Sequence, residues 1–143
     1  EVIKQITRAK QGMDLHTSTF NQMVVYEVGK EGFIDQHIQV IQKTYRERRD
    51  IMLDALEEYM PSDVTWTHPQ GGLFLWLTLP NKIDAADLLI KAVKEKVAFV
   101  PGKSFHPNGD GDNTMRLNFS NASHENIVEG ISRLGKCIKS ALI

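Results

Sequence analysis

At Pro61 the apolar pattern of this chain changes its period. From about Phe33 to Tyr59, Ile34, Ile38, Ile41, Tyr45, Met52, Leu56 and Tyr59 recur at spacings of three, four or seven, while Arg46, Arg48, Arg49, Glu57 and Glu58 fill other faces. That spacing predicts one helix, and Pro61 ends it because proline lacks the N–H that a further turn needs. At roughly 1.5 Å per residue the helix reaches about 40 Å, longer than a small domain requires, so it is expected to bridge parts of a larger protein. Beyond Pro61 the apolar residues fall into short branched and aromatic runs. Helices first, then strands and helices with a helix at the end, predict an α/β (α+β) layer structure with a small mixed sheet and helices packed on it.

The local signals are these. Residues Glu1 to about Gln11 read as an amphipathic helix with Gly12 as its stop, and Thr17-Ser18-Thr19 offer N-cap hydroxyls to a second helix that runs to Gly29. After Pro61, Val64 to His68 and Leu73 to Leu79 read as strands around a Pro69-Gln70-Gly71-Gly72 turn. Leu73, Leu75, Leu77 and Leu79 share one face, Phe74 and Trp76 the other. With both faces apolar, this strand is expected to be covered on both sides or to lie against another domain. Asp84 with Asp87 imitates a capping box ahead of a helix to about Lys96, with Leu88, Leu89, Ala92 and Val93 as its buried stripe. Val97 to Val100 follow as a strand ended by Pro101-Gly102, and Pro107 to Asp112 form a loop. Met115, Leu117 and Phe119 then alternate with Arg116 and Asn118 as a further strand, and a last helix from Ser123 buries Ile127, Ile131, Leu134 and Ile138.

Composition excludes several classes of function. The 143 residues are 41% hydrophobic and 24% charged, with 17 basic against 18 acidic side chains and no basic stripe, so nucleic acid is not an expected partner. Cys137 is the sole cysteine, which excludes a cystine framework within the chain and fits a reducing compartment. It is expected to pack as a small apolar residue. No run of about 18 apolar residues occurs, so no membrane is expected as a partner, and without a leader pattern the expected location is the cytoplasm. Because Glu1 already stands in a helical pattern, the chain is expected to begin partway through a larger protein.

One residue points to a site. Arg116 stands in the middle of an otherwise apolar strand, and a buried guanidinium is costly unless an anion or hydrogen-bond acceptors meet it. Its planar fork suits a carboxylate through two parallel hydrogen bonds. A salt bridge to a neighbouring acid, or a solvated edge-strand arginine, are the competing readings. Gly102-Lys103-Ser104 is not a phosphate loop, because the position that needs the first glycine is Val97. The loop from Asn108 to Asn113 lacks the bidentate glutamate of a calcium ring, since that position is Phe119. His16, His37, His68, His106 and His124 are scattered without metal-ligand spacing, so no metal is expected. Asn118-Phe119-Ser120 and Asn121-Ala122-Ser123 match the glycosylation pattern only formally.

Longer motifs add a resemblance. Pro69-Gln70-Gly71-Gly72-Leu73-Phe74-Leu75-Trp76, then Val97-Ala98-Phe99-Val100-Pro101-Gly102 with Phe105, then Asn113-Thr114-Met115-Arg116-Leu117-Asn118-Phe119-Ser120, resemble in this order the C-terminal part of a fold-type I, pyridoxal-phosphate-dependent class I/II aminotransferase. Ala9-Lys10-Gln11 with His16 to Gln22 is similar to the subgroup of 2-aminoadipate, kynurenine and aromatic amino-acid aminotransferases. The resemblance implies that Arg116 binds the substrate α-carboxylate and that Gly71, Gly72, Gly102, Phe105 and Asn118 line the substrate channel, with the Gly71-Gly72 backbone approaching closely. It places Thr17 and Ser18 near the cofactor or the subunit interface. It implies pyridoxal 5'-phosphate as cofactor, amino-acid and 2-oxo-acid substrates, and a homodimer. Residues 1–32 would be the tail of the large-domain region, 33–60 the interdomain helix and 61–143 the C-terminal small domain.

The sequence also departs from the family. The serine-rich motif around the cofactor lysine, the proline-glycine-x-arginine segment after it and the aspartate facing the pyridine nitrogen are not found, and Lys4, Lys10 and Lys103 stand in other contexts. The chain alone is therefore expected to be inactive and to contain no catalytic residue. Two other readings stay open: the effector domain of a winged-helix-fused, aminotransferase-like transcription regulator, and an autonomous module for small carboxylates.

Overall fold

The computed structural model describes residues 1–143. Two compact units divide the chain, Glu1–Ile41 and Gln42–Ile143. The first contains α1 (Val2–Met13), α2 (Thr19–Gly29) and the start of α3 (Phe33–Tyr59). Gly12 lies inside α1 rather than ending it; the stop falls at Asp14, whose N–H donates to the Lys10 carbonyl and whose carboxylate pairs with Lys10 at 2.9 Å. Ser18 caps α2 by accepting from the Asn21 N–H. No residue of α1 or α2 is buried. Helix α3 has the predicted bounds and is unbroken through Tyr45–Arg49.

The second unit is built on a sheet of four short strands, β1 (Thr65–Trp66), β2 (Phe74–Thr78), β3 (Val100–Pro101) and β4 (Thr114–Asn118), in the order β1-β2-β4-β3. Every pairing is antiparallel, where a mixed sheet was expected. The reason lies in the connections. The turn after Pro69 makes β1 and β2 a hairpin, while α4 (Ala85–Lys94) carries the chain across so that β2 and β3 run the same way with β4 inserted between them. Strand β3 is shorter than predicted because the exit from α4 consumes its first residues. Lys96 takes φ 61°, and the Val97 N–H returns to the Ala92 carbonyl at 2.9 Å, so pairing starts only at Val100.

One face of this sheet is the core. Leu75, Leu77, Met115, Leu117 and Phe119 meet Leu88 and Ala92 of α4, Ile127, Ile131, Leu134 and Ile138 of α5 (His124–Leu142), and Met52, Ala55 and Leu56 of α3. Each such side chain taken out of water contributes about 1.5–3 kcal/mol before entropy is set against it. Val93, expected in the buried stripe of α4, is exposed, since α4 turns only Ala85, Leu88 and Ala92 fully inward. Caps fix both helices. Asp84 accepts from the Ala86 and Asp87 N–H groups, and Ser123 accepts from that of Asn126. Near the C-terminal half of α3, Arg48 donates to the Ser120 carbonyl and Arg49 to that of Pro69 at 3.1 Å, which tethers the helix to the loops after β4 and before β2.

Candidate functional site

Alternation along β2 and β4 sends Phe74, Trp76, Arg116 and Asn118 to the face opposite the core. The register sets Trp76 beside Arg116 and Phe74 beside Asn118, with Val100 of β3 on the other flank of Arg116. Arg116 is half-buried. Its Nε is buried without an acceptor, and the ion pairs of the chain all lie elsewhere. The salt-bridged reading of Arg116 therefore fails within this chain, and the edge-strand reading fails because β4 lies between β2 and β3. Two aromatic rings meet the guanidinium instead: its carbon lies 4.0 Å from the centroid of Phe74 and 4.6 Å from that of Phe105. Such contacts contribute about 0.5–2 kcal/mol each according to desolvation, but they satisfy no N–H. A buried donor on a charged group still needs an acceptor, and leaving it without one costs about 1–3 kcal/mol or more.

Phe105 reaches Arg116 because the chain turns tightly after β3. Gly102–Phe105 is a single 3-10 turn, and Gly102 lies so close to the sheet that a Cβ there would overlap the Thr114 side chain and the Trp76 ring. Glycine is required by that approach. The Phe105 ring also stands edge-on to Trp76, 5.6 Å between centroids, in the T-shaped arrangement that aromatic quadrupoles favour. Behind the turn, Lys103 pairs with Asp112 at 2.8 Å, and the hydrogen bond that its ammonium donates to the Asp112 carboxylate raises the Lys103 pKa above the ordinary lysine value.

The other predicted site residues fall as follows. Asn118 shares the face of Arg116, and its carboxamide oxygen accepts from the Ser120 N–H and hydroxyl at 2.8 and 2.9 Å, which orients it. Gly71 and Gly72 form the turn into β2, and a Cβ on either would meet nothing within 4 Å in this chain. No close approach within the chain calls for them; Gly72 is suited instead to its φ of 82°. Thr17 and Ser18 belong to the first unit, where both are exposed and Ser18 serves as the cap of α2. Phe74 and Trp76 were not singled out from the sequence. Their alternation with Leu75 and Leu77 gave the face, but only the register with β4 brings them to Arg116.

Away from this face, no group of three His, Cys, Asp or Glu side chains is placed to hold a metal ion. A surface groove of about 450 Å³ between α4 and α5 is lined by Lys91, Lys94, Arg133 and Lys136 with Glu95, Glu129 and Cys137. Arg133 is held by Glu129 at 2.8 Å, and burial raises the pKa of the Cys137 thiol, which packs against the core cluster.

The arginine without an anionic partner stands on the outer face of a small α/β domain with a split β-α-β sheet. Residues 1–134 match the family described as aminotransferase class I and II, and the chain belongs to that family. It is 48% identical to aromatic-amino-acid aminotransferase 1 of Thermococcus litoralis, over 98% of this chain and 34% of that protein. It superposes on a kynurenine aminotransferase of Pyrococcus horikoshii in complex with PMP at a TM-score of 0.93, 46% identical, covering 99% of this chain and 35% of that one. A further match is LysN, the α-aminoadipate aminotransferase of Thermus thermophilus complexed with N-(5'-phosphopyridoxyl)-L-leucine, with TM-score 0.89 and 43% identity over 99% of this chain and 36% of that one. At 30% identity, over 97% of this chain and 31% of the relative, it is also similar to the HTH-type transcriptional regulator NorG of Staphylococcus aureus. The chain spans about a third of the length of the relatives it matches. The fold is that of part of a fold-type I aminotransferase, as the sequence motifs implied.

Proposed function

We propose that this chain is the C-terminal part of a longer pyridoxal-phosphate-dependent aminotransferase, in which Arg116 holds the α-carboxylate shared by its amino-acid and 2-oxo-acid substrates. The observation that carries the reading is the buried, acceptor-less Nε of Arg116 on the outer face of the sheet. The relatives are named for aromatic, kynurenine and aminoadipate substrates, which differ in side chain and share that carboxylate. A two-pronged clamp fixes the carboxylate in the guanidinium plane and so limits rotation of the adjoining Cα, and alignment of this kind is worth several kcal/mol of barrier (on the order of 7–11 in the best intramolecular cases).

Pyridoxal phosphate, when bound, supplies the electron sink for amino-group transfer. Lys4, Lys10 and Lys103 do not fit as its anchor. Lys10 and Lys103 are exposed and paired with Asp14 and Asp112, and Lys4 is exposed on α1. Its binding falls to the rest of the longer protein. Residues 1–32 then belong to the large-domain region, 33–60 to an interdomain helix and 61–143 to the small domain. The uncovered apolar side chains Val2, Ile3 and Ile6 of α1 and Phe20 and Met23 of α2 support that division, because they call for further protein to cover them. A cytoplasmic homodimer is part of the same proposal and rests on the resemblance.

The test is Arg116→Ala in the longer protein. Transaminase kcat/KM is expected to fall by roughly a hundredfold or more with a raised KM; a change within about threefold overturns the assignment. The similarity to NorG favours one second reading, an aminotransferase-like effector domain of a regulator. A helix-turn-helix segment preceding the chain, with specific DNA binding by the longer protein, would select it.

A further inference from the structure

The rings against Arg116 have a role that burial alone does not explain. Phe74 and Phe105 come from different parts of the chain, one from β2 and one from the 3-10 turn after β3, and both remain substantially exposed at 39% and 46%. A phenylalanine recruited only for the core of this small domain would be covered within the chain, as Phe119 is. Instead the two rings converge on one guanidinium, at 4.0 and 4.6 Å, which has no hydrogen-bonded carboxylate or carbonyl to fix its torsions. An unpaired arginine side chain on a half-open surface has several rotamers available, and binding an anion must then restrict them. Ring faces remove that freedom without consuming an N–H, whereas a carboxylate partner would compete with the ligand for the donors. Phe105 is itself braced edge-on by Trp76, and its turn is seated by Gly102.

We infer that Phe74 and Phe105 are positioning residues that hold the Arg116 guanidinium ready for a carboxylate while leaving its donors free. The inference rests on the reading of Arg116 as the carboxylate clamp. A ring that merely filled space would act on the whole domain; rings that act through Arg116 lose their effect once that guanidinium is gone.

The experiment uses the longer protein with Phe105→Leu, Phe74→Leu, Phe105→Tyr and each leucine variant combined with Arg116→Ala. Phe105→Leu is expected to lower kcat/KM for an amino acid about tenfold, mainly through KM, and Phe74→Leu several-fold, while Phe105→Tyr stays within about twofold of the parent. In the Arg116→Ala background both leucine substitutions are expected to cost less than about twofold. Equal losses in the two backgrounds, or no loss in either, overturn the inference even when Arg116→Ala itself behaves as proposed. A second readout does not depend on transamination. With arginine Nε labelled by nitrogen-15, the Arg116 Nε–H order parameter is expected to lie near the rigid-backbone value of about 0.85 and to fall below about 0.6 in Phe105→Leu. An unchanged value overturns the positioning role, whereas a parent protein that transaminates no amino acid overturns the aminotransferase reading and leaves the order parameter to decide the role of the rings.

Discussion

The two faces of the sheet are drawn from alternate positions of the same strands, yet they are finished in different ways. On one, Leu75, Leu77, Met115 and Leu117 are covered by α3, α4 and α5. On the other, Phe74, Trp76, Arg116 and Asn118 form a surface whose only charge has no counter-ion and whose rings are part-exposed. The first face is complete in itself, since its apolar side chains are buried against the helices. The second is incomplete in a specific way, because what it lacks is an acceptor. On the proposed reading, stability and recognition are separated by a two-residue period, and substitutions on adjacent residues of β4 should report on different quantities.

The largest effect that would break this comparison is expected on the closed face. Leu77→Ala removes a fully buried side chain and should cost about 2–5 kcal/mol, read as a lower denaturant midpoint at unchanged slope. Next comes Arg116→Met, which keeps most of the apolar stem. If the open face serves recognition, its melting temperature should be unchanged or raised, because a buried donor without an acceptor has been removed, while kcat/KM of the longer protein falls by about a hundredfold, some 2.7 kcal/mol. A melting temperature that drops as far as in Leu77→Ala would erase the distinction. A smaller effect is expected at Asp84, whose carboxylate caps α4 and so steadies the helix over the closed face. Asp84→Ala should cost about 1 kcal/mol in chemical denaturation and leave KM unaltered.

How far each face was legible in the sequence follows from the same contrast. The closed face is written in periodicity, so α3, the strand alternation of Met115, Leu117 and Phe119, and the stripe Ile127, Ile131, Leu134, Ile138 can be read directly. Where local chemistry overrides period, the reading fails: Lys96 at positive φ delays β3, and Val93 lies just outside the arc that α4 buries. Arg116 was legible because a charge in an apolar strand is anomalous. Of its ring partners, Phe105 was named only through the resemblance and Phe74 was not, because a Phe–Arg contact across strands depends on register, which is set by a connection through α4 that no short motif encodes. Gly102 carried a turn signal, but its close approach to Thr114 and Trp76 becomes visible only with the sheet assembled.

The smallest effect concerns the loop that carries Phe105 to the open face, and its sign can be worked out. The hydrogen bond and charge of Asp112 raise the Lys103 pKa above the ordinary lysine value of 10.5, and the more distant charge of Asp84 adds to this. A raised folded-state pKa means that the native state holds the proton more tightly than the unfolded chain. The contribution is therefore fully present below the unfolded value and disappears as pH rises through the folded one. Asp112→Asn should accordingly lower the melting temperature slightly at pH 7 and by the same amount at pH 9, and the difference from the parent should close as the pH rises through the raised Lys103 pKa. Added salt should shrink it at neutral pH, since both partners are exposed. The change in kcat/KM should stay within about twofold, because the turn is seated by Gly102 against the sheet and by the Phe105–Trp76 contact rather than by this pair. A loss as large as that of Phe105→Leu would show instead that the exposed ion pair, and not the apolar seat, sets where the ring meets Arg116.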